Sequence, residues 1–369
     1  MLRSLLVALL IAVAVATLAV PATASAAELY APDDATAPAR PFARPLQDQV
    51  VDRPGEVARA SSARARIAQS DLQSFFASDG AGPIRVALSD EYGPVTKAKV
   101  QPTVDFLASR LHGSELKRLT ALILTPSELS QACSATALAC YLPKPELMII
   151  PGQQTPQGEV SVEYVITHEY GHHIATNRNN DPFNERSFDS AVAFGPKRWA
   201  TYEQVCAGVA AGRYFPGDQG ENYVRNPGEN WAEAYAQLQY QGQYPWQFDP
   251  SFIPDAGAFA AAQADVVQPW TKNVVQRRSG RLTSRRRSKT FPVSTTLDGR
   301  VVVTLRNPRR ANFDVQIVSG GRVVARSRSR RRGGVDRVTA TDCAVRQFEV
   351  RVVRRSGSGA FSLRVYTPG

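Results

Sequence analysis

The chain has 369 residues, of which 43% are hydrophobic and 21% are charged, and its formal net charge is +11. Four cysteines are too few for a disulfide-dense fold, and beyond the N-terminus no apolar run approaches the roughly 20 residues of a membrane-spanning helix. Residues 271–369 hold 24 Lys and Arg against 5 Asp and Glu, a balance of +19, which leaves −8 for residues 1–270. This difference in net charge between the two parts of the chain predicts two domains.

The first 26 residues have the order of a secretory signal peptide. Met1-Leu2-Arg3 gives a short basic start, residues 5–20 are apolar, and Ala24-Ser25-Ala26 supplies a small-residue cleavage site. We therefore expect residues 1–26 to be removed and the protein to be secreted or placed in the cell envelope. An uncleaved membrane anchor is the alternative.

Residues 27–82 are predicted to be a leader, a linker or a removable pro-segment. Residues 27–55 are rich in Ala, Pro, Asp and Arg and lack apolar periodicity, which indicates an extended segment. Residues 56–77 have helical composition and are followed by Ser78-Asp79-Gly80, which ends a helix. The sequence leaves open whether this part is kept in the mature protein.

A core domain of α+β class is predicted at 83–270, which is long enough for one buried core. We expect strands at 84–88, 119–124 and 147–150 and a helix at 95–111. Two of the four cysteines, Cys133 and Cys140, bracket a short loop and are expected to pair. Whether Cys206 joins Cys343 stays undecided.

The segment 165–173 holds three of the four histidines and contains the pattern His-Glu-x-x-His. On a helix, His168 and His172 lie one turn apart on the same face, so both can bind one metal ion while Glu169 stands beside it. Neutral imidazoles suit Zn²⁺, and an open fourth position would hold a water whose pKa falls to roughly 7. Glu169 is the predicted base for that water. The alternative is an ordinary helix that carries this pattern on its solvated side.

A zinc site of this kind needs a third protein ligand, and no histidine follows His173. A carboxylate must therefore serve. The best candidates are Glu229 and Glu233, one turn apart in a helix predicted after the Pro227-Gly228 turn. One can bind the metal while the other accepts the N–H of a ligand imidazole. A solvated helix face is the alternative for both.

These two motifs resemble those of the gluzincin metallopeptidases, and the stretch Glu-Asn-Trp-Ala-Glu-Ala-Tyr-Ala from Glu229 is especially similar to the peptidase domain of anthrax lethal factor. The resemblance implies a zincin-like α+β fold, Zn²⁺ as cofactor, Glu229 as third ligand and Glu233 as support for a histidine. It also suggests Tyr223 as a hydrogen-bond donor in the transition state. In that family the strand before the metal helix is the sheet edge, so 147–150 would be the strand that a peptide substrate extends. A plain buried core strand is the alternative.

Beyond the core domain we expect a basic linker at 271–290 and a small all-β sandwich at 291–369. Residues 299–305, 312–315 and 357–365 resemble the bacterial pre-peptidase C-terminal domain, which commonly accompanies secreted peptidases. The arginines favour an anionic partner: an envelope polymer, a lipid surface or, last, nucleic acid, because no aromatic stacking series is present. A merely solvated basic surface is the alternative.

Together these features predict an exported zinc peptidase that acts on peptide or protein substrates. His168, His172 and Glu229 are the expected metal ligands, and Glu169 is the expected base. The alternative from another class is a noncatalytic envelope-binding protein with a structural zinc site. Such a site needs a fourth protein ligand and has no use for Glu169 as a base.

Overall fold

The computed structural model describes residues 27–35, 50, 72–155, 160–180, 190–241, 243–329, 331–344 and 347–369. These residues form a mixed helix-and-sheet domain and a β-sandwich, each around its own buried apolar cluster. The predicted signal peptide at 1–26 lies outside the described residues. Within them, no helix is long and apolar enough to cross a membrane.

The first domain is built on a five-stranded sheet with the strand order β1-β2-β3-β5-β4. The three inner strands are parallel, and both outer strands run antiparallel to their neighbours. The strands are β1 Gln73–Phe75, β2 Ile84–Leu88, β3 Thr120–Leu124, β4 Cys140–Leu142 and β5 Leu147–Pro151. Every residue of β3 and β5 is buried, as expected of parallel strands that are covered on both faces.

The helices of this domain pack around the sheet and against one another. Within the described residues they are α1 Lys97–Ser109, α2 Pro126–Ala132, α3 Val162–Thr176, α4 Ser190–Phe194, α5 Lys197–Tyr202, α6 Val205–Ala210, α7 Pro227–Gln239 and α8 Ala256–Val267. All of α3 except Thr176 is buried, because this helix contacts β5 on one side and α7 on another. A helix without a solvated face excludes the ordinary-helix alternative for the His-Glu-x-x-His pattern.

The strands predicted at 84–88, 119–124 and 147–150 are present, and so is the helix predicted at 95–111, each within two residues of its expected bounds. The expected disulfide between Cys133 and Cys140 is also present. Local apolar patterns were sufficient for these elements because each one buries the residues that define the pattern.

Two predictions for this sheet are wrong. The edge strand is β4 and not 147–150, because the chain after the disulfide loop pairs antiparallel with β5 and covers it. Residues 73–75, which were predicted to be helical, form β1, because pairing with β2 outweighs their weak helix propensity. The rest of the predicted helix, 56–71, lies outside the described residues.

The predicted leader packs against the first domain where it is described. Residues 27–35 form no helix or strand, yet the Tyr30 hydroxyl donates to Glu163 and Asp34 pairs with Arg110. Val50 is buried and forms a parallel bridge with Tyr141 in the edge strand β4. The described part of the leader is therefore attached to the domain and is not a free linker.

The second domain is a sandwich of two four-stranded antiparallel sheets, β10-β9-β12-β7 and β11-β8-β13-β6. The strands are β6 Val274–Leu282, β7 Ser288–Ser294, β8 Gly299–Arg306, β9 Asn312–Ser319, β10 Arg322–Arg326, β11 Val335–Asp342, β12 Gln347–Ser356 and β13 Gly359–Thr367. The predicted linker at 271–290 is wrong, because β6 pairs with β13 over its whole length. Three of its six arginines lie in the edge strand β6 and three in the turn before β7, and all six are exposed, as the arginines of a linker would be.

The two domains are joined by a disulfide between Cys206 in α6 and Cys343, just after β11. Beside it, the backbone N–H of Asp298 donates to Thr201 Oγ1 at 3.1 Å, and Trp270 donates from its indole N–H to the chain end. The pairing that the sequence left undecided is thus an interdomain one. With both disulfides formed, no cysteine is free.

Candidate metal centre

Helix α3 is capped at its N-terminus by Ser161, whose hydroxyl accepts from the Tyr164 backbone N–H at 3.2 Å. Helical spacing then places His168 and His172 one turn apart, with both side chains fully buried. Their ring centroids are 5.2 Å apart. The predicted pair of imidazoles therefore shares one face of a buried helix.

A glycine allows the second helix of the site to approach α3 closely. A Cβ at Gly171 would lie 2.8 Å from the Cα of Ala232 in α7, which is closer than side-chain carbons normally come. At the same contact, the Trp231 indole N–H donates to the Gly171 carbonyl at 2.9 Å. The close packing of α3 on α7 holds the two helices in the arrangement that the site requires.

The first acidic residue of α7 lies close to His168 and His172 of α3. Asn226 caps the helix by accepting from the Gly228 backbone N–H at 3.0 Å, and Pro227 occupies the first turn. Glu229 follows in the first turn and Glu233 one turn later, both fully buried. The solvated-face alternative for these two glutamates is therefore wrong.

Three of the predicted site residues converge on one point. Ligand atoms of His168, His172 and Glu229 all lie within 4.8 Å of one another. Glu229 Oε2 is 3.2 Å from His172 Nε2 and 3.7 Å from His168 Nε2. A tetrahedral zinc with bonds of about 2.0 to 2.1 Å separates its ligand atoms by about 3.3 Å, so two imidazoles and a carboxylate at these separations fit the ion. In the described part of the chain, no other such group of three is found.

Glu233 lies behind the histidine ring and faces its other nitrogen. Its Oε2 is 3.3 Å from His168 Nδ1, and its Oε1 accepts from the Tyr164 hydroxyl at 2.9 Å. Burial, reinforced by the Glu233 charge, raises the pKa of Tyr164 well above 10, so the phenol keeps its proton and donates it. A carboxylate at Nδ1 favours the tautomer with its proton there, which leaves Nε2 unprotonated and able to bind a metal ion.

The second oxygen of Glu229 is held by side chains that sequence reasoning missed. Glu229 Oε1 accepts from Gln219 Nε2 at 2.6 Å and from Asn226 Nδ2 at 3.4 Å. Asn226 could have been found from its capping position before Pro227. Gln219 lies in the loop ahead of the helix, and no motif identifies it. These donors orient the carboxylate so that Oε2 faces the imidazoles.

Glu169 is fully buried and follows His168 directly in α3. Adjacent helical residues are rotated by about 100° from each other, and Glu169 does not belong to the group of three ligand atoms. The structure thus separates the carboxylate that follows His168 in the sequence, Glu169, from the converging one, Glu229.

The third histidine of the motif is turned away from this point. His173 Nε2 is 2.9 Å from the carbonyl of Glu115, and Nδ1 is 3.1 Å from the hydroxyl of Tyr141. Burial lowers the pKa of His173, which favours a neutral ring. The Tyr141 ring also stacks on His172, with centroids 6.4 Å apart. The edge strand β4 thereby contacts helix α3.

Tyr223, the predicted transition-state donor, is linked to His168 through the ring of Phe248. It is half-buried in a short 3-10 turn, and its ring centroid is 5.5 Å from that of Phe248. Phe248 in turn stacks on His168 with centroids 5.9 Å apart. The structure places Tyr223 near the site but not among the converging atoms.

No protein-family model matches the chain, and no curated protein matches its sequence. Two solved structures are similar to a part of it. The pre-peptidase C-terminal domain of a collagenase from Bacillus anthracis is 11% identical, with a TM-score of 0.22, and the match covers 24% of this chain and 87% of that one. PliG from Aeromonas hydrophila, a periplasmic inhibitor of g-type lysozyme, is 12% identical with a TM-score of 0.20, and the match covers 25% and 84%.

Proposed function

We propose that the chain is a secreted zinc-dependent peptidase with a zincin-like catalytic domain. The observation that carries the proposal is the convergence of His168, His172 and Glu229 beside a fully buried Glu169. Within the described residues no fourth metal-binding side chain joins the three. Structural zinc sites use four protein ligands, whereas catalytic sites use three and keep one position for water.

Each residue of the site has a task in peptide hydrolysis under this proposal. Zinc supplies Lewis acidity and lowers the pKa of a bound water to roughly 7. Glu233 keeps His168 in the tautomer that presents Nε2, and Gln219 holds the carboxylate of Glu229 in place. Glu169 takes the proton of the attacking water and later delivers it to the leaving amine. Tyr223 remains the proposed donor to the developing oxyanion.

The edge strand β4 is the surface where an extended substrate would bind. An edge strand offers unpaired backbone groups that a peptide can extend by main-chain hydrogen bonds. Tyr141 in β4 contacts both His172 and His173, so a chain paired there runs beside the ligand group. Val50 pairs with Tyr141 at this edge, so a substrate bound beside Tyr141 would have to displace residue 50.

Secretion is part of the same proposal. Both disulfides use all four cysteines, and disulfides of this kind persist in oxidising compartments such as the periplasm or the extracellular space. The apolar N-terminal run and the small residues before Ala27 support export by a signal peptide.

Metal analysis and peptide cleavage by purified residues 27–369 test the proposal together. We expect stoichiometric zinc, cleavage of members of a random peptide library, loss of cleavage after chelation, and recovery when zinc is added. Tightly bound zinc without cleavage of any peptide would overturn the enzymatic proposal and favour a structural zinc. A protein that binds no zinc would overturn both.

A further inference from the structure

One sheet of the second domain has a strongly basic outer surface. In the sheet β11-β8-β13-β6, alternate residues such as Val303 and Leu363 enter the sandwich core, so the residues between them face outward. The outward positions of the four strands contain no Asp or Glu. They include five exposed arginines, which we call the cationic face: Arg277, Arg281, Arg306, Arg337 and Arg364.

Strand register places three of these arginines in one row. Arg337 lies opposite Thr304, Thr304 opposite Arg364, and Arg364 opposite Arg277. Neighbouring strands are about 4.8 Å apart, so the row spans about 14 Å. Arg337 and Arg277 lie at its two ends, and Arg364 lies one strand in from Arg277. Like charges directly opposite each other, as in Arg364 and Arg277, destabilise a sheet. The arrangement therefore costs stability unless an anion lies across it.

The carboxylates of the domain do not neutralise this row. Among the residues that the structure describes, no ion pair joins an arginine of the cationic face to an Asp or Glu. Asp336 in β11 is buried and accepts from the Ser327 hydroxyl at 2.8 Å. On the other sheet, by contrast, Arg351 pairs with Glu349 at 3.5 Å and Arg355 with Asp314 at 2.6 Å. The other sheet thus has some of its arginines paired with carboxylates, whereas the five arginines of the cationic face have no such pair among the described residues.

A part of the cationic face, around Arg306 and Arg364, is concave. A depression of about 300 Å³ is lined by Thr304, Arg306, Val335, Ser362, Arg364 and Tyr366. Guanidinium forks with hydroxyl groups between them are donors that suit phosphate or carboxylate oxygens. The outward positions hold no Leu, Phe or Trp that could insert into a membrane, and one aromatic ring is too few for a series of stacked bases.

We propose that the cationic face binds a linear polyanion that bears phosphate or carboxylate groups along its length, of the kind found in cell-envelope polymers. The chain of such a polymer would cross the strands along the row from Arg337 to Arg277, with Arg306 beside it. Its anionic groups relieve the repulsion between the opposed arginines, and the hydroxyls of Thr304 and Ser362 donate between the charges. This interaction does not depend on the proposed peptidase activity.

The test compares two triple variants of the full chain with the same net charge. Arg277→Gln/Arg337→Gln/Arg364→Gln removes the row. The control variant is Arg322→Gln/Arg326→Gln/Arg351→Gln. It removes three arginines of the other sheet that are exposed or half-exposed. Long-chain inorganic polyphosphate is the probe, and its dissociation constant is measured at two salt concentrations. An unfolding midpoint no lower than that of the wild type excludes misfolding of either variant, and relief of the opposed charges should raise the midpoint of the row variant.

We expect the row variant to bind polyphosphate at least about tenfold more weakly than the wild type. The salt dependence of its affinity should correspond to about two to three fewer phosphate contacts. The control should change the affinity less than about threefold, because only long-range charge is lost. Equal losses in the two variants, or no polyphosphate binding by the wild type, would overturn the proposal. So would tighter, row-dependent binding to phosphatidylglycerol vesicles or to a single-stranded oligonucleotide of equal charge.

Discussion

Replacing Glu229 with Gln should weaken zinc binding far more than replacing Glu233 with Gln. Glu229 Oε2 lies 3.2 and 3.7 Å from the two Nε2 atoms, whereas Glu233 reaches His168 only at Nδ1, on the other side of the ring. Zinc held by four ligands is bound with a free energy of about 10 to 16 kcal/mol, which is about 2.5 to 4 kcal/mol for each ligand. Loss of one ligand should therefore raise the Kd for zinc roughly 100- to 1,000-fold. Loss of a supporting carboxylate costs about 10- to 100-fold.

The two dissociation constants can be measured by titration against a chromophoric chelator. Glu221→Gln is a matched control, because this glutamate precedes the ligand helix but is exposed, and it should leave the Kd unchanged. Melting of the metal-free variants shows whether a buried change has disturbed the fold. A larger loss of zinc affinity in Glu233→Gln than in Glu229→Gln would show that ligand and support are exchanged and would refute the geometry described above.

Three further changes test other parts of the structure. Burial raises the pKa of Glu203 to about 8, so the stability it contributes is complete below about pH 4.5 and is lost as the pH rises through about 8. Glu203→Gln should therefore unfold at higher urea than the wild type at pH 9 but not at pH 4. Gly171→Ala places a methyl group against Ala232 and should lower both the melting temperature and the zinc affinity, at a cost of about 1 to 3 kcal/mol. Replacing Cys206 and Cys343 by Ser opens a link with a sequence separation of 137 residues and should destabilise the protein by about 2 to 5 kcal/mol with zinc still bound.

The sequence was sufficient for features whose cause is local. The His-Glu-x-x-His spacing fixes two imidazoles on one helical face, and the Pro227 turn with its acidic first turn predicts the second helix. The structure adds that Glu229 and Glu233 both point inward. Their distinct positions around His168 depend on the α3–α7 contact at Gly171, which is a tertiary feature.

Features that arise from long-range pairing could not be predicted in the same way. The three-residue strand β4 is too short for a periodic signal, so the sequence assigns the sheet edge to β5, one strand inward of the true edge. The arginines of β6 have the composition of a linker, and only the partner strand β13 distinguishes the two. Gln219 reaches Glu229 from an irregular loop, and the link from Cys206 to Cys343 depends on how the domains meet.

Peptide cleavage by Glu169→Gln, compared with the wild type at equal zinc content, tests the central claim most directly. Glu169 is buried and follows His168 in α3 without being one of the three ligand residues, so the substitution should leave the bound zinc and the melting temperature nearly unchanged. Loss of a general base should lower kcat/KM about 100- to 10,000-fold. Full cleavage by a zinc-loaded Glu169→Gln variant would contradict the account.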